Sequence, residues 1–353
     1  MAVNYTTKYE KKIAERFHKR SITDSACGNE YSFVGAKTIR IYSVNTADET
    51  EYDRNKGSNR FGDPKNLDDT IQEMTVTQQP AFTFCIEPLD NSDQAIEKSA
   101  GKALRRQLDE KTIPNMDKYR LKKWVQGANI QIKSASEPTI KTIVELILDA
   151  NSAMTDALVP LDNRTIYMPT KMYQRLKQNP DFISVDALGK EALAHGVVGM
   201  VDGCPIKQVP KGYLPEGVYF LIKYKGSTVD PVKMKQYDVL KKVQGYAGPV
   251  VQGVTYYDSF VLGTKGDGLA VCGNADLILD APTLAIASHA VTATAPTTPT
   301  GVTIRYTTDG TNPRYSATAQ TYTAAVTLKE GETFKCISVK DGCVGTAAEQ
   351  PYK

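Results

Sequence analysis

The residue types that carry out chemistry are present in this chain but are never gathered. Its three histidines are His18 in a charged N-terminal run, His195 directly before Gly196, and His289 in a Thr- and Ala-rich tail. A nucleophile with its base needs hydrogen-bond reach, and three separate structural units do not supply it. His195 reads instead as serving a helix C-terminus, where positive charge is favoured. Six cysteines (Cys27, Cys85, Cys204, Cys272, Cys336, Cys343) show none of the short spacing of a zinc site and are too sparse for a secreted disulfide framework. They are expected as buried free thiols. Cys336 and Cys343 share a hairpin around Asp341-Gly342, whose two-residue turn pairs 340 with 343 and leaves Cys336 opposite about position 347.

Two loops imitate ligand motifs. Gly35-Ala36-Lys37-Thr38 ends like a phosphate loop, but Glu30 stands where the upstream glycine belongs and a strand follows where a helix is required. Asp53-x-Asn55-x-Gly57-x-Asn59 imitates a calcium loop with its glycine displaced and no closing Glu. Asp68-Asp69 lie on a polar stretch as solvated carboxylates. The expectation is a protein with no catalytic centre, no cofactor and no metal, and so not an enzyme.

The elements that must position these residues point elsewhere. Hydrophobic residues make up 41% and charged residues 24% of 353, as in an ordinary globular chain with room for two or three domains. A net charge of +3 is too mild to mark a dedicated nucleic-acid binder. No signal-peptide core or membrane span is present, so synthesis and use in a cytoplasm are expected. Residues 1–36 form an arm whose first 20 residues carry six basic side chains against Glu10 and Glu15; Ile13 and Phe17 share one helical face.

Residues 37–45 and 72–87 alternate with period two, Ile39 and Ile41 about Arg40, Phe82 and Phe84 about Thr83. Between them lies turn chemistry at Asn55, Gly57, Ser58, Asn59, Gly62 and Pro64. The whole of 37–90 reads as one long β loop, reaching roughly 65 Å over about 20 residues. A two-stranded ribbon of that length is not stable alone, so it must lie on a neighbouring subunit. A helical rod follows, capped by Asn91 and Ser92 with Gln94 in the capping-box position, with Pro114 as a kink or restart and Gly127 as its stop.

Helices are expected at Pro138–Ala150, from Pro169 to about Asn179, and at Ser184–His195. Strands are expected at Thr165–Met168, on either side of a turn within 199–210, at Val218–Ile222 and at Tyr256–Leu262. After Pro282 the composition shifts to short strands with turns at Asp309-Gly310 and Asp341-Gly342, the pattern of a separate β-sandwich. From Ser43 to Asp90 ten acidic residues face four basic ones, a net of −6; from Ser92 to Gln126 nine basic face five acidic, a net of +4. Such opposition suits electrostatic register between subunits.

This order resembles the major capsid proteins of tailed phages, the Hong Kong 97 type of fold. Local sequence carries the resemblance at Gly57-Ser-Asn-Arg60 with Phe61-Gly62, Ala100-Gly-Lys-Ala-Leu-Arg-Arg-Gln-Leu108, Asp117-Lys-Tyr-Arg120, Val201–Pro210 and Tyr256–Leu262. The tail, Thr303–Pro313 through Thr333–Gly342, resembles the non-catalytic immunoglobulin-like domain of chitobiases.

The resemblance implies an α+β capsid fold divided as follows: arm 1–36, extended β loop 37–90, spine helix and peripheral domain 91–137, axial domain 138–235, return strands 236–280, and immunoglobulin-like β domain 281–353. It implies a homo-oligomeric shell of hexamers and pentamers, part of a virion head assembled in a host bacterial cytoplasm. The partners implied are a separate scaffolding protein (the chain opens directly on the arm), a portal, decoration proteins and packaged double-stranded DNA held non-specifically, with no membrane.

Arg54, Lys56, Arg60, Phe61, Asp68 and Asp69 are then the loop residues that meet a neighbour, and Lys11, Lys12, Arg16, Arg105 and Arg106 those of arm and spine. Some relatives cross-link Lys to Asn; Lys56 and Lys65 lie in the corresponding region, with no partner marked. The tail is expected on the outer surface, with glycan contact through residues 281–353 if Tyr306, Tyr315 and Tyr322 are exposed. The competing readings are a tail-tube or adhesin protein, an encapsulin-type compartment, and a glycan-active enzyme.

Overall fold

The alternation of Ile39 and Ile41 about Arg40 becomes strand β1 (Thr38–Val44), antiparallel to β2 (Asp69–Thr75), with Thr38 opposite Thr75 and Val44 opposite Asp69. The structure is a computed structural model that describes residues 21–28, 31, 37–44, 51–52, 54–56, 58–61, 69–86, 100–179, 183–184, 197–240, 243–287, 289–297, 299–316 and 318–351. The stretch read as one strand from 72 to 87 divides in two. Pro80 has no N–H for a ladder, and the chain crosses at Thr77–Pro80. It then enters β3 (Ala81–Cys85), which pairs in a different sheet.

The helical rod is α1 (Ala100–Gln107) and α2 (Ile113–Gln126), joined by a π-helical turn at Leu108–Thr112. Pro114 lies in the first turn of α2, where its missing N–H costs nothing, so it restarts the helix after the widened turn. Helix α2 stops at Gly127 as expected. A Cβ there would lie 2.3 Å from Val261 Cγ2. The cap expected at Asn91 and Ser92 lies outside the described residues.

Seven strands form the central sheet: β4 (Ile130–Lys133), β5 (Arg164–Pro169), β6 (Ile183–Ser184), β7 (Val197–Val201), β8 (Cys204–Val209), β9 (Val218–Tyr224) and β14 (Leu269–Gly273), in the order β4-β14-β9-β5-β8-β7-β6. Successive strand residues face opposite sides, and this divides the core in two. Ile166, Met168, Phe220, Ile222, Ala270 and Cys272 pack with Ile143, Ile147 and Met154 of α3 (Thr142–Asp156) and with Met172 and Leu176 of α4 (Thr170–Lys177). Tyr167, Leu221, Leu269 and Val271 pack on the other face with Leu121, Trp124 and Val125 of α2 and with Ile22, Ala26 and Cys27 of the arm.

Helix α3 starts four residues later than its apolar pattern indicated. Thr139 initiates it: its carbonyl takes the first helical bond, from Ile143 N, and its side chain exchanges bonds with Thr142. Ser184, expected to begin a helix, pairs instead with Gly199 in a short strand beside Ile183 and Met200, and the rest of that segment, His195 included, lies outside the described residues.

A three-stranded sheet joins β3 to β12 (Val250–Tyr257) and β12 to β11 (Val232–Leu240), while β10 (Thr228–Val229) pairs with β13 (Phe260–Val261). The strand expected at 256–262 is thus two strands, interrupted at Asp258-Ser259.

The tail holds two sheets. One is β16 (Thr283–Ala287), β17 (Ala290–Thr294) and β20 (Val326–Thr327). The other is β18 (Thr303–Thr307), β19 (Gln320–Thr321), β21 (Thr333–Val339) and β23 (Ala347–Pro351), in the order β19-β18-β21-β23. They close over Val291, Ile304, Leu328, Phe334 and Cys336. A seam ties tail to body: β15 (Ile278–Leu279) pairs in parallel with β22 (Val344–Gly345). All six cysteines are free thiols, four of them buried, and Cys336 stands opposite Ala348.

Candidate functional site

The most heavily bonded part of the body is the place where the arm enters it. The residues 21–28 run across α2 and the central sheet, and five charged side chains, all 7% exposed or less, receive them. Asp117 accepts from Ser21 Oγ (2.7 Å), from the Ile22 amide (2.9 Å) and from Thr23 Oγ1 (2.6 Å). One turn on, Arg120 donates to Thr23 Oγ1 and to Asp24. Lys207 donates to the Ile22 carbonyl and to Ser25 Oγ.

Lys223 donates to the Ala26 carbonyl at 2.6 Å and lies 4.5 Å above the Trp124 ring. Asp230 completes the set: its amide donates to Gly28 O, and its carboxylate accepts from Trp124 Nε1, Thr228 Oγ1 and Ser259 Oγ. A Cβ on Gly28 would fall 1.9 Å from Thr228 O, so only glycine lets the arm leave here. Each of the five charged groups has at least one partner, as burial of charge demands, while Arg120 Nε and the neighbouring Tyr167 hydroxyl are buried without one. The arrangement is a lock for the arm.

Burial holds the Lys223 ammonium down to about 8, against a partial counter-effect from Asp230. The unfolded chain therefore keeps this proton up to the ordinary lysine value while the folded chain has given it up. Stability rises with pH across that window and is lowest below about 8. Burial raises the Cys27, Cys204, Cys272 and Cys336 thiols, which drives stability the opposite way over the same range. The Lys223 effect is therefore read as a difference: relative to Lys223→Met, the parent's unfolding free energy should gain roughly 2 kcal/mol between about pH 8 and pH 9.5. Equal slopes in parent and variant exclude Lys223 as the titrating group.

The ribbon has its own root. Met74 and Val76 are fully buried with Val229 and Leu262, flanked by Ile39, Ile41, Tyr256 and Phe260. Gln72 bonds both ways to the body, donating to Val261 O and accepting from the Gly263 amide. Asp258 accepts from the Thr77 amide and hydroxyl and from Tyr119 OH on α2. The ribbon's exit is thereby tied to the spine helix, and burial together with that bond pushes the Tyr119 phenol up.

At the far end, Phe61 is 83% exposed and its ring lies 4.9 Å from that of Tyr52. Arg60 bonds back to Lys56 O, and Arg54 and Lys56 are exposed in the same turn. Asp69 opens β2, while Asp68 and Lys65 lie outside the described residues, as do Lys11, Lys12 and Arg16. The structure thus gathers Arg54, Lys56, Arg60 and Phe61 at one exposed tip. Arg105 and Arg106 are apart from them, each facing a carboxylate one turn along the helix, Asp109 at 3.7 Å and Glu110 at 3.2 Å.

Sequence reasoning missed the five lock residues and Asp258. The signals were lysines inside buried alternation, Lys207 in β8 and Lys223 in β9, and the one-turn spacing of Asp117 and Arg120. The three tail tyrosines are not the exposed platform expected. Tyr306 and Tyr322 stack on or abut Phe334 in the tail's core, and Tyr315 packs against the body's core. Among the described residues no group of His, Cys, Asp and Glu could hold a metal, and no helix is long and apolar enough to cross a membrane.

With this geometry in place, comparison with solved structures gives a consistent picture. A chain of Mycobacterium phage Che8 superposes with a TM-score of 0.63 at 17% identity, covering 76% of this chain and 96% of that one. The capsid structure of cyanophage P-SCSP1u gives 0.61 at 15%, covering 77% and 93%. The mature capsid of bacteriophage PhiM1 gives 0.60 at 12%, covering 77% and 93%. The family model described as Fn3 associated matches residues 294–348. No curated protein sequence matches the chain. The fold is the α+β phage capsid fold expected from the sequence, carrying an immunoglobulin-like β domain at its C-terminus.

Proposed function

We propose that this chain is a major capsid protein of a tailed phage, many copies of which pack as hexamers and pentamers into the icosahedral shell of the virion. One observation carries the reading. The body anchors a two-stranded ribbon firmly at its root and ends it in an exposed tip of Phe61, Tyr52, Arg54, Lys56 and Arg60. An aromatic pair ringed by arginine and lysine, held clear of its own core, has the composition of an interface centre.

The likeness in fold to phage capsid chains supports the same reading. Assembly would take place in a host bacterial cytoplasm with a separate scaffold and a portal, leaving the tail domain on the outer surface.

Protein expressed with and without a scaffolding partner and imaged by negative stain should show closed shells. A monomer under every condition overturns the proposal, and tubes or trimeric fibres transfer it to the tail-tube or adhesin reading.

A further inference from the structure

The tail domain is fastened to the body by more than its linker. Asn312 shapes the turn that presents the next two residues: its Oδ1 accepts from the Arg314 amide and its carbonyl from the Tyr315 amide. Arg314 then donates to Ala128 O and to Gly345 O, Tyr315 OH donates to Gly127 O, and Asn312 Nδ2 donates to Asn129 Oδ1. Gly127 and Ala128 follow directly on the last residue of α2. A helix leaves its final carbonyls without intrahelical partners, and side chains from a domain nearly 190 residues away supply partners just beyond that end. Gln131 adds a bond to the same Gly345 carbonyl, and Lys133 pairs with Asp280 at 2.7 Å.

Tyr315 also packs on the glycine that anchors the ribbon. A Cβ on Gly263 would lie 3.3 Å from Tyr315 Cβ, and the amide of that same glycine donates to Gln72 in β2. Three elements therefore meet over one glycine: the end of the spine helix, the root of the ribbon, and the tail.

We infer that the C-terminal domain is an in-chain clamp, whose Asn312-Arg314-Tyr315 wedge caps the spine helix and fixes the angle at which the ribbon leaves the body. This gives the tail a function that needs no external ligand and holds whether or not the chain builds shells. A passenger domain would need only its linker and the β15–β22 seam.

The test is hydrogen exchange on the full, unassembled chain carrying Arg314→Ala with Tyr315→Phe. Amides of the ribbon root (Gln72–Val76) and of Gly263 should exchange about tenfold faster or more. Amides of β18, β21 and α3 should keep their protection, which shows both units still folded. Ribbon-root exchange within about twofold of the parent, with Ala128–Gln131 released, overturns the clamp.

If the double variant unfolds as a whole, Tyr315→Phe alone removes one hydrogen bond and little packing. It should then accelerate Gly263 about threefold relative to Ile143 and Ile147, and no such difference overturns the inference equally. Failure to form shells in electron micrographs leaves this reading intact, and a passive tail leaves the shell reading intact.

Discussion

Asp117→Ala is expected to destabilise the body by about 3–5 kcal/mol, the cost of removing one partner from a buried, hydrogen-bonded charge cluster. Three donors lose their acceptor at once: Ser21 Oγ, the Ile22 amide and Thr23 Oγ1. Arg120, 2% exposed, then loses the ordered Thr23 hydroxyl it shares with Asp117. Asp117→Asn keeps the shape and one acceptor oxygen, and its cost should fall to about 1–2 kcal/mol, near that of a single unmatched buried group. Urea unfolding measures both values. Exchange of the Ala26 and Cys27 amides, which bond back to Thr23 and Asp24, reads the arm directly and should become fast in the alanine variant. If those amides stay protected, the arm is held by Ile22, Ala26 and Cys27 packing on Leu121 and Trp124, and the polar lock is secondary.

The second large effect concerns assembly rather than stability. The ladder of β1 and β2 ends with Val44 opposite Asp69, so a two-residue Asn-Gly turn can replace residues 45–68 and close the hairpin in its natural register. The root residues Met74, Val76 and Gln72 are untouched, and thermal unfolding should shift by no more than about 1 kcal/mol. Shell yield, counted by electron microscopy or sedimentation, should fall at least about a hundredfold, because the exposed tip of Phe61 and its basic neighbours is gone. Full assembly by this shortened chain would move the essential contact to the arm or the body. In the intact chain, Phe61→Ala is the milder form of the test; loss of a central aromatic typically costs an interface about 2 kcal/mol or more.

Local periodicity made much of the architecture legible. Ile39 and Ile41 about Arg40, the Gly127 stop of the helical rod, and the Asp309-Gly310 turn each report on residues within a few positions. Boundaries slipped where a side chain or an imino acid overruled the pattern, as at Thr139 and Pro80. The lock and the clamp were not legible, because most of their partners are separated by about 95 to 214 positions and no local pattern encodes such pairing. Lys223 was visible only as a charge in an apolar strand, and Tyr315 looked like any surface tyrosine. At the ribbon tip, Arg60 and Phe61 were marked by the resemblance of their segment to phage capsid proteins and by no local periodicity.

The separation between the arm root and its partners also orders events in time. Residues 21–28 leave the ribosome well before Lys207, Lys223 and Asp230, which receive them and follow about two hundred residues later. At roughly 5–20 residues per second the arm stays unfastened for about ten seconds or more. A segment made early is thus secured late, and for that interval residues 21–28 can meet another chain before they are committed to their own.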